Sequence, residues 1–582
     1  VGIRSRGQSY WEAEDEGVTL LDTTLGDLLD CRAEELPARE AVVYSGYPEL
    51  GDGFDLRWTY AEYRERVNAV AKGLIALGLQ RGDHVAVWAT NLPEWLLLEF
   101  AIAKAGLVLV TVNPVFRANE LAYVLAQGDA KALFFQARVR DHDCLETVRD
   151  LITPGDAPGV VGGERLPELR YVCVIGAPPV GPATEPGWRP ATFAELIEAG
   201  TTVDDEKLRA RQAAVRPRDV STIMYTSGTT GFPKGAMLTH FGLINNQVTA
   251  WQRVGGRATD QARYCTPVPF FHVAGAGVTI GMVVERMTLH PVITFDPLKT
   301  LQIIRREGCT YVGAVPTMLL AMLHHPEFDA YRPESLDTVF TGAAPVPVLL
   351  MEQVKERMGA DIGIAFGQTE ASSGITSTSR EDSFEKKSAT VGRPYPHVAI
   401  KIIETETGAI VPCGQRGELC VRGFLVMAGY YKMPEMTAEA IDADRWLHTG
   451  DLATMNEAGY VNIVGRLKDM VIRGGENIFP REIEEVLIRH PAVADVQVVG
   501  VPDAYFGEVL LAVVRAKDGA QLTEQEVRGF CQDRLSHQKV PRYVQFVASY
   551  PLTASGKVQK FRLRETAIKA LGLEDLARTR TA

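Results

Sequence analysis

No Cys-x-x-Cys pair occurs in this 582-residue chain, and its eight cysteines are scattered; the nearest two, Cys413 and Cys420, are separated by six residues. A chain of this length needs no disulfide staples, so they read as reduced, mostly buried thiols and the compartment as cytoplasmic. The opening segment VGIRSRGQSYWEAEDEG lacks the apolar stretch of a secretory signal. Blocks of Lys and Arg are missing too, and 61 basic against 73 acidic residues give a net charge of -12. Nucleic acid is therefore not an expected partner, nor is an anionic membrane surface. The 11 histidines show no HExxH or paired-ligand spacing, so structural zinc is not expected. Long uncharged runs are nearly absent. One stretch, YCTPVPFFHVAGAGVTIGMVV (264–284), carries no Asp, Glu, Lys or Arg. It is long enough to cross a bilayer, but two prolines and three glycines make it a poor continuous helix. It reads as a buried strand, loop and helix, and no transmembrane segment is expected.

What is present is ordinary soluble-protein composition, 46% hydrophobic and 23% charged, over a length that allows roughly four structural units. Residues 59–78, TYAEYRERVNAVAKGLIALG, predict a helix: Thr59 and Glu62 have capping-box spacing, apolar residues follow at helical intervals, and Gly78 ends it. HVAVWA (84–89) reads as a buried strand, LPEWLLLEFAIAKAG as a helix and LVLVTV (107–112) as another strand. This alternation predicts an α/β fold with largely parallel sheets. Between 153 and 190, 15 of 38 positions are Gly or Pro, which predicts surface loop. From 398 to 466 strands run without long helices (VAIKIIE, GELCVRG, YVNIVGR), a small barrel-like or antiparallel unit. After a boundary near 466–469 a compact α+β unit of helix, two strands, helix and strand follows. The expected division is a large N-terminal domain, 1–466, and a small C-terminal domain, 467–582.

Chemistry concentrates first in residues 225–235, YTSGTTGFPKG, after the strand-like VSTIMY and before the helix-like LTHFGLINNQVTAWQRV. Glycines let backbone amides approach an anion closely, and Thr226, Ser227, Thr229 and Thr230 add hydroxyl donors. Lys234 adds positive charge. The composition is that of a phosphate cradle. The Walker A pattern is not met, because Lys234 lies between Pro233 and Gly235.

This loop resembles the signature of the adenylate-forming, AMP-binding superfamily, which includes the fatty acyl-CoA synthetases (medium- and long-chain fatty acid–CoA ligases). Other family motifs follow in order, so the resemblance spans essentially the whole chain. TGAAP (341–345) is similar to the segment flanking the adenine, with Ala343 where relatives often have Gly. FGQTE (366–370) is similar to the Tyr-Gly-x-Thr-Glu motif, with Phe366 keeping the stacking face but not the hydroxyl. HTGD (448–451), GRLKDM (465–470), RGGEN (473–477) and PLTASGKVQK (551–560) complete the set.

The resemblance implies a site residue by residue. Thr226, Ser227, Gly228, Thr229, Thr230, Gly231, Phe232, Pro233 and Lys234 would hold the ATP phosphates. Gly342, Ala343, Ala344, Phe366, Gly367 and Gln368 would flank the adenine, Thr369 would contact phosphate, and Glu370 would hold Mg²⁺. Asp451 would take the ribose hydroxyls, Arg466 the ribose or phosphate, and Lys557 would bridge the substrate carboxylate and the α-phosphate. Lys468 falls at the family's hinge, with Gly474 and Gly475 beside a pantetheine path; an inert turn reads equally from the residues alone. His272 matches a position at the mouth of the acyl pocket, and a satisfied core histidine reads equally well. Small Gly275 and Gly277 behind it would leave room for an alkyl chain.

The implied reaction activates a carboxylic acid, expected to be a fatty acid, with ATP and Mg²⁺, then passes the acyl group to the thiol of coenzyme A. Three alternatives stay open: loading of a carrier-protein pantetheine, an aryl acid as substrate, and a catalytically silent acyl- or nucleotide-binding protein. Similar enzymes are commonly dimers, so the resemblance allows a homodimer.

Overall fold

The computed structural model describes residues 3–4, 7–13, 17–47, 55–176, 189–226, 233–254, 262–473, 476–532, 534–553 and 557–578. It divides into two compact units. The first comprises Val1–Ile3, Glu12–Ala399 and Val421–Leu447; the second comprises Arg4–Trp11, Ile400–Cys420 and His448–Ala582.

The first unit is α/β, as the alternation predicts. The helix Tyr60–Ala76 starts at Thr59, whose side chain accepts from the Glu62 amide while the Glu62 carboxylate accepts from Thr59. The two apolar runs flanking the next helix become the strands His84–Trp88 and Val108–Val112, paired in parallel. They sit in an eight-stranded sheet ordered Ala191–Thr192, Tyr171–Ile175, Ala130–Gln136, His84–Trp88, Val108–Val112, Val220–Thr226, Lys234–Thr239 and Gly429–Tyr430. Two departures from the sequence reading appear here. Within the Gly/Pro-rich segment 153–190, Tyr171–Ile175 is a largely buried strand parallel to Ala130–Gln136, its apolar run YVCVI overriding the turn-rich flanks. After the phosphate-cradle loop the chain forms the antiparallel strand Lys234–Thr239, and only then the helix His240–Val254.

A nine-stranded sheet runs Arg393–Pro394, Ser373–Ser377, Asp361–Gln368, Thr338–Gly342, Tyr311–Gly313, Arg263–Thr266, Thr288–Pro291, Glu40–Tyr44 and Leu56–Thr59. Its central pairs are parallel. The uncharged stretch 264–284 contributes the strand Arg263–Thr266 and the helix Val273–Glu285. Among the described residues no helix is long and apolar enough to cross a membrane.

The second unit includes the strands Leu447–Met455 and Val461–Arg466, paired antiparallel, with Gly417–Gly423 beside the first, followed by a five-stranded sheet. In that sheet Val493–Asp503 and Gly507–Ala516 pair over their full lengths. The two-residue period splits their side chains between two cores. Val496, Val498, Leu510, Ala512 and Val514 pack with Ile483, Leu487 and Val527. Val499, Val501, Val509, Leu511 and Val513 pack with Leu563, Ala567 and Ile568. All eight cysteines are free, and six are buried.

Candidate active site

In the first unit the strand Val220–Thr226 leads into the phosphate-cradle loop and returns as Lys234–Thr239, with Thr226 opposite Lys234 and Tyr225 opposite Gly235. Ser227, Gly228, Thr229, Thr230, Gly231 and Phe232 lie outside the described residues. Pro233 is fixed by the Tyr123 hydroxyl, which donates to its carbonyl at 3.1 Å. Ala236 pairs with Tyr430 across the next strand. This pairing places the Tyr430 ring 4.2 Å from the Lys234 ammonium, which stacks over it. The same phenol donates to Oε1 of Glu370 at 2.7 Å. Burial, then the Glu370 charge, push the phenol up, so Tyr430 remains a donor. Lys234 and Glu370, 136 positions apart in the chain, thus meet on one aromatic ring.

Glycine is required on both segments assigned to the adenine. A Cβ at Gly342 would stand 2.3 Å from the Ala365 carbonyl oxygen, and one at Gly367 would stand 1.7 Å from that of Ser373. Ala343 has φ +63°, a left-handed conformation that costs an L side chain energy. Ala344 follows it, and Phe366 and Gln368 flank Gly367 on the strand Asp361–Gln368. Thr369 and Glu370 begin a 3₁₀ turn, Thr369–Ala371. Buried Asn246 holds this turn: its amide donates to the carbonyls of Gly374 at 2.7 Å and Ala371 at 3.3 Å, and its oxygen accepts the Gly374 amide at 3.2 Å.

His272 caps the helix Val273–Glu285, its Nδ1 accepting the Ala274 amide at 3.2 Å. The glycines behind it serve close packing. A Cβ on Gly275 would meet the Pro269 carbonyl oxygen at 2.0 Å, and on Gly277 the Gln247 amide nitrogen at 2.9 Å. The faces expected to leave room for an alkyl chain therefore already have neighbours.

In the second unit Asp451 and Arg466 stand opposite one another on the strands Leu447–Met455 and Val461–Arg466. Arg466 Nε donates to Asp451 Oδ1 at 2.7 Å. Asp451 is 2% exposed, and among the described residues its Oδ2 has no hydrogen-bond partner. Burial raises its carboxyl above the usual carboxylate range, opposed by Arg466 and Lys557. Lys557 is exposed as a whole residue, while its ammonium end is crowded. Desolvation there, then the Arg466 charge, lower it to about 8, with Asp451 and Asp469 opposing. The backbone of Lys468 lies in the 3₁₀ turn Leu467–Asp469. Gly474 and Gly475 lie outside the described residues.

Three contributors carried no sequence signal. Tyr430 depends on strand pairing with Ala236, Asn246 lies on a helix far from the turn it holds, and Glu418 sits on the strand beside Asp451. None belongs to a spaced motif, and only the tertiary fold brings each to its partner.

Two family models match the chain: AMP-binding enzyme over residues 29–431, and AMP-binding enzyme C-terminal domain over residues 482–557. The chain belongs to the AMP-binding enzyme family. It is 46% identical to the putative acyl-CoA synthetase YngI of Bacillus subtilis (strain 168), over 95% of this chain and 99% of the relative. It is 37% identical to the human mitochondrial medium-chain acyl-CoA ligase ACSF2, over 94% and 88%. Among solved structures it is similar to the Mycobacterium tuberculosis fatty acyl CoA synthetase, with TM-score 0.69 and 29% identity, covering 94% of this chain and 99% of that one. ATP-bound MatB from Rhodopseudomonas palustris matches with TM-score 0.78 and 29% identity, covering 94% and 99%.

Proposed function

We propose that this protein is an ATP-dependent acyl-CoA ligase that makes an acyl-adenylate and then a thioester, with an aliphatic acid as substrate. A carboxylate is a poor acyl donor because its leaving group would be oxide. In the first step a carboxylate oxygen attacks the α-phosphorus of ATP, the bond to the bridging oxygen breaks, and pyrophosphate leaves with the electron pair. In the second, the thiol sulfur of coenzyme A attacks the acyl carbon, AMP leaves, and the thiol proton passes to solvent.

The acid is already ionised at neutral pH, so no general base is needed and the work is positioning and charge stabilisation. The first unit contributes the phosphate-cradle loop with Thr226 and Lys234, and the glycine-dependent segments at Gly342 and Gly367. Glu370 would hold Mg²⁺: Tyr430 engages Oε1 alone, which leaves Oε2 as an anionic oxygen ligand of the kind hard cations take. Bound there, the cation would neutralise phosphate oxygens. The second unit contributes Asp451 for the ribose hydroxyls, Arg466 beside it and Lys557 as the cation on the reacting carboxylate and phosphate. Lys468 serves as hinge between the two steps for a small domain spanning 467–582, and the large domain spans 1–466.

One observation supports this reading most: Asp451 is a buried carboxylate with an open acceptor, flanked by two cations. A buried acceptor without a donor is costly unless a ligand supplies one. Medium- and long-chain acids are the expected substrates; similarity to a ligase named for medium-chain acyl groups and to a synthetase named for fatty acyl groups supports this. The test is pyrophosphate release over a panel of aliphatic and aromatic acids, followed by thioester formation with coenzyme A or a phosphopantetheinylated carrier. Preference for aliphatic acids and free coenzyme A supports the reading; preference for aryl acids or for the carrier overturns that part of it.

A further inference from the structure

The open oxygen of Asp451 is useful only if the strand carrying it is held still. Residues 448–450 are tied, one after another, to the neighbouring strand Gly417–Gly423, and Asp451 is tied to Thr449. The Thr449 hydroxyl donates to the Leu419 carbonyl at 2.7 Å, and the same oxygen accepts the Asp451 amide at 3.1 Å. The Gly450 amide donates to Glu418 Oε1 at 3.1 Å. His448 Nδ1 stands 2.9 Å from Glu418 Oε2. Glu418 is 9% exposed, and one carboxylate thus gathers two donors that flank Thr449. Gly450 has φ +68°, a conformation glycine adopts readily, and the chain turns there immediately before Asp451. Cys420 Sγ also lies near, 3.6 Å from His448 Nδ1. The donor groups of Glu418, Cys420 and His448 all fall within 4.8 Å of one another. Both Glu418 oxygens are already hydrogen-bonded, so the cluster reads as a clamp on the 448–451 segment rather than a metal centre.

We propose that Glu418 is a positioning residue for nucleotide recognition: it fixes His448 and Gly450, and through them aims the Asp451 carboxylate at a pair of vicinal hydroxyls. The inference rests on Asp451 being the reader of the ribose. Glu418 has no direct partner on the nucleotide in this scheme; its whole effect passes through Asp451. A glutamine at 418 has the same size but one acceptor in place of two, so it no longer accepts from both the Gly450 amide and the imidazole, and the two-acceptor clamp is lost.

The test pairs the change in the protein with a change in the ligand. Acid-dependent pyrophosphate release is measured with ATP and with 2′,3′-dideoxy-ATP for the parent enzyme, Glu418→Gln and Thr449→Val. Thr449→Val removes the hydroxyl joining Leu419 to Asp451 while keeping the shape, and it guards against a misfolded first variant. With ATP, each variant is expected to raise KM about tenfold with a smaller change in kcat, the size of one lost charge-assisted hydrogen bond. With the dideoxy nucleotide, kcat/KM is expected to stay within about twofold of the parent, because the groups Asp451 reads are already gone. A purely structural role predicts equal losses with both nucleotides, and that result, or no loss with either, overturns the proposal. If the parent releases no pyrophosphate with any acid, the ligase reading itself has failed. If the parent is active but indifferent to the missing hydroxyls, Asp451 is not the ribose reader and the proposal falls with that role.

Discussion

The phenol of Tyr430 donates to Glu370 Oε1 at 2.7 Å, and this single bond ties the strand beside the phosphate-cradle loop to the carboxylate assigned to the metal. Tyr430→Phe keeps the ring under Lys234 and removes only the donor. The expected result is a rise of about fivefold in the Mg²⁺ concentration for half-maximal pyrophosphate release, equivalent to roughly 1 kcal/mol. An unchanged Mg²⁺ dependence would show that the bond does not orient Glu370.

In the proposed first step Lys557 is needed as the ammonium, and desolvation with the Arg466 charge lowers it to about 8. Adenylate formation should therefore decline as pH rises through about 8, while thioester formation from supplied acyl-adenylate should not. Measuring the two half-reactions separately across that range checks this. A parallel fall in both, or a flat first step, would contradict the assignment.

Ala343 occupies a left-handed conformation, φ +63°, in the segment assigned to the adenine. Ala343→Gly removes the Cβ penalty and gains unfolded-chain freedom, so the net effect is a stabilisation of about 0.5–1 kcal/mol. Ala343→Val adds a branched side chain where φ is positive and should destabilise by more than 1 kcal/mol, as an order of magnitude. Thermal midpoints of the two variants against the parent give the answer.

Glu99 is 5% exposed on the apolar helix Pro93–Lys104, and among the described residues its Oε2 lacks a hydrogen-bond partner. Burial raises its carboxyl from 4.5 to about 8. The folded state then holds a proton that the unfolded chain has released, so stability is full below pH 4.5 and declines as pH rises towards about 8. Glu99→Gln cannot ionise and should gain on the parent between pH 5 and 8, by something on the order of 2 kcal/mol. A constant difference between the two proteins across that range would show that Glu99 ionises normally.

Much of the fold was legible where local signals agree. The Thr59/Glu62 capping box, the apolar runs at 84–89 and 107–112, and the apolar runs VADVQVVGV and LLAVVRAK each point to an element without outside help. The strand Tyr171–Ile175 was hidden because its five residues are surrounded by glycine and proline, and only pairing with Ala130–Gln136 makes it a strand. The strand Lys234–Thr239 was hidden for a related reason: GAML reads as easily as the start of the following helix. Motif residues such as Glu370, Asp451 and Lys557 can be read from order and spacing, since each sits in a short recognisable string. Tyr430, Asn246 and Glu418 act across distances of 60, 128 and 32 positions, and nothing in their neighbours announces it.

The most direct test of the account is acid-dependent pyrophosphate release from ATP and Mg²⁺, with aliphatic acids, by the parent and by Lys557→Ala. The account predicts release by the parent that needs both acid and metal, loss of that release in Lys557→Ala, and retention by the variant of thioester formation from supplied acyl-adenylate. No release by the parent with any acid, or equal loss of both half-reactions in the variant, would contradict it.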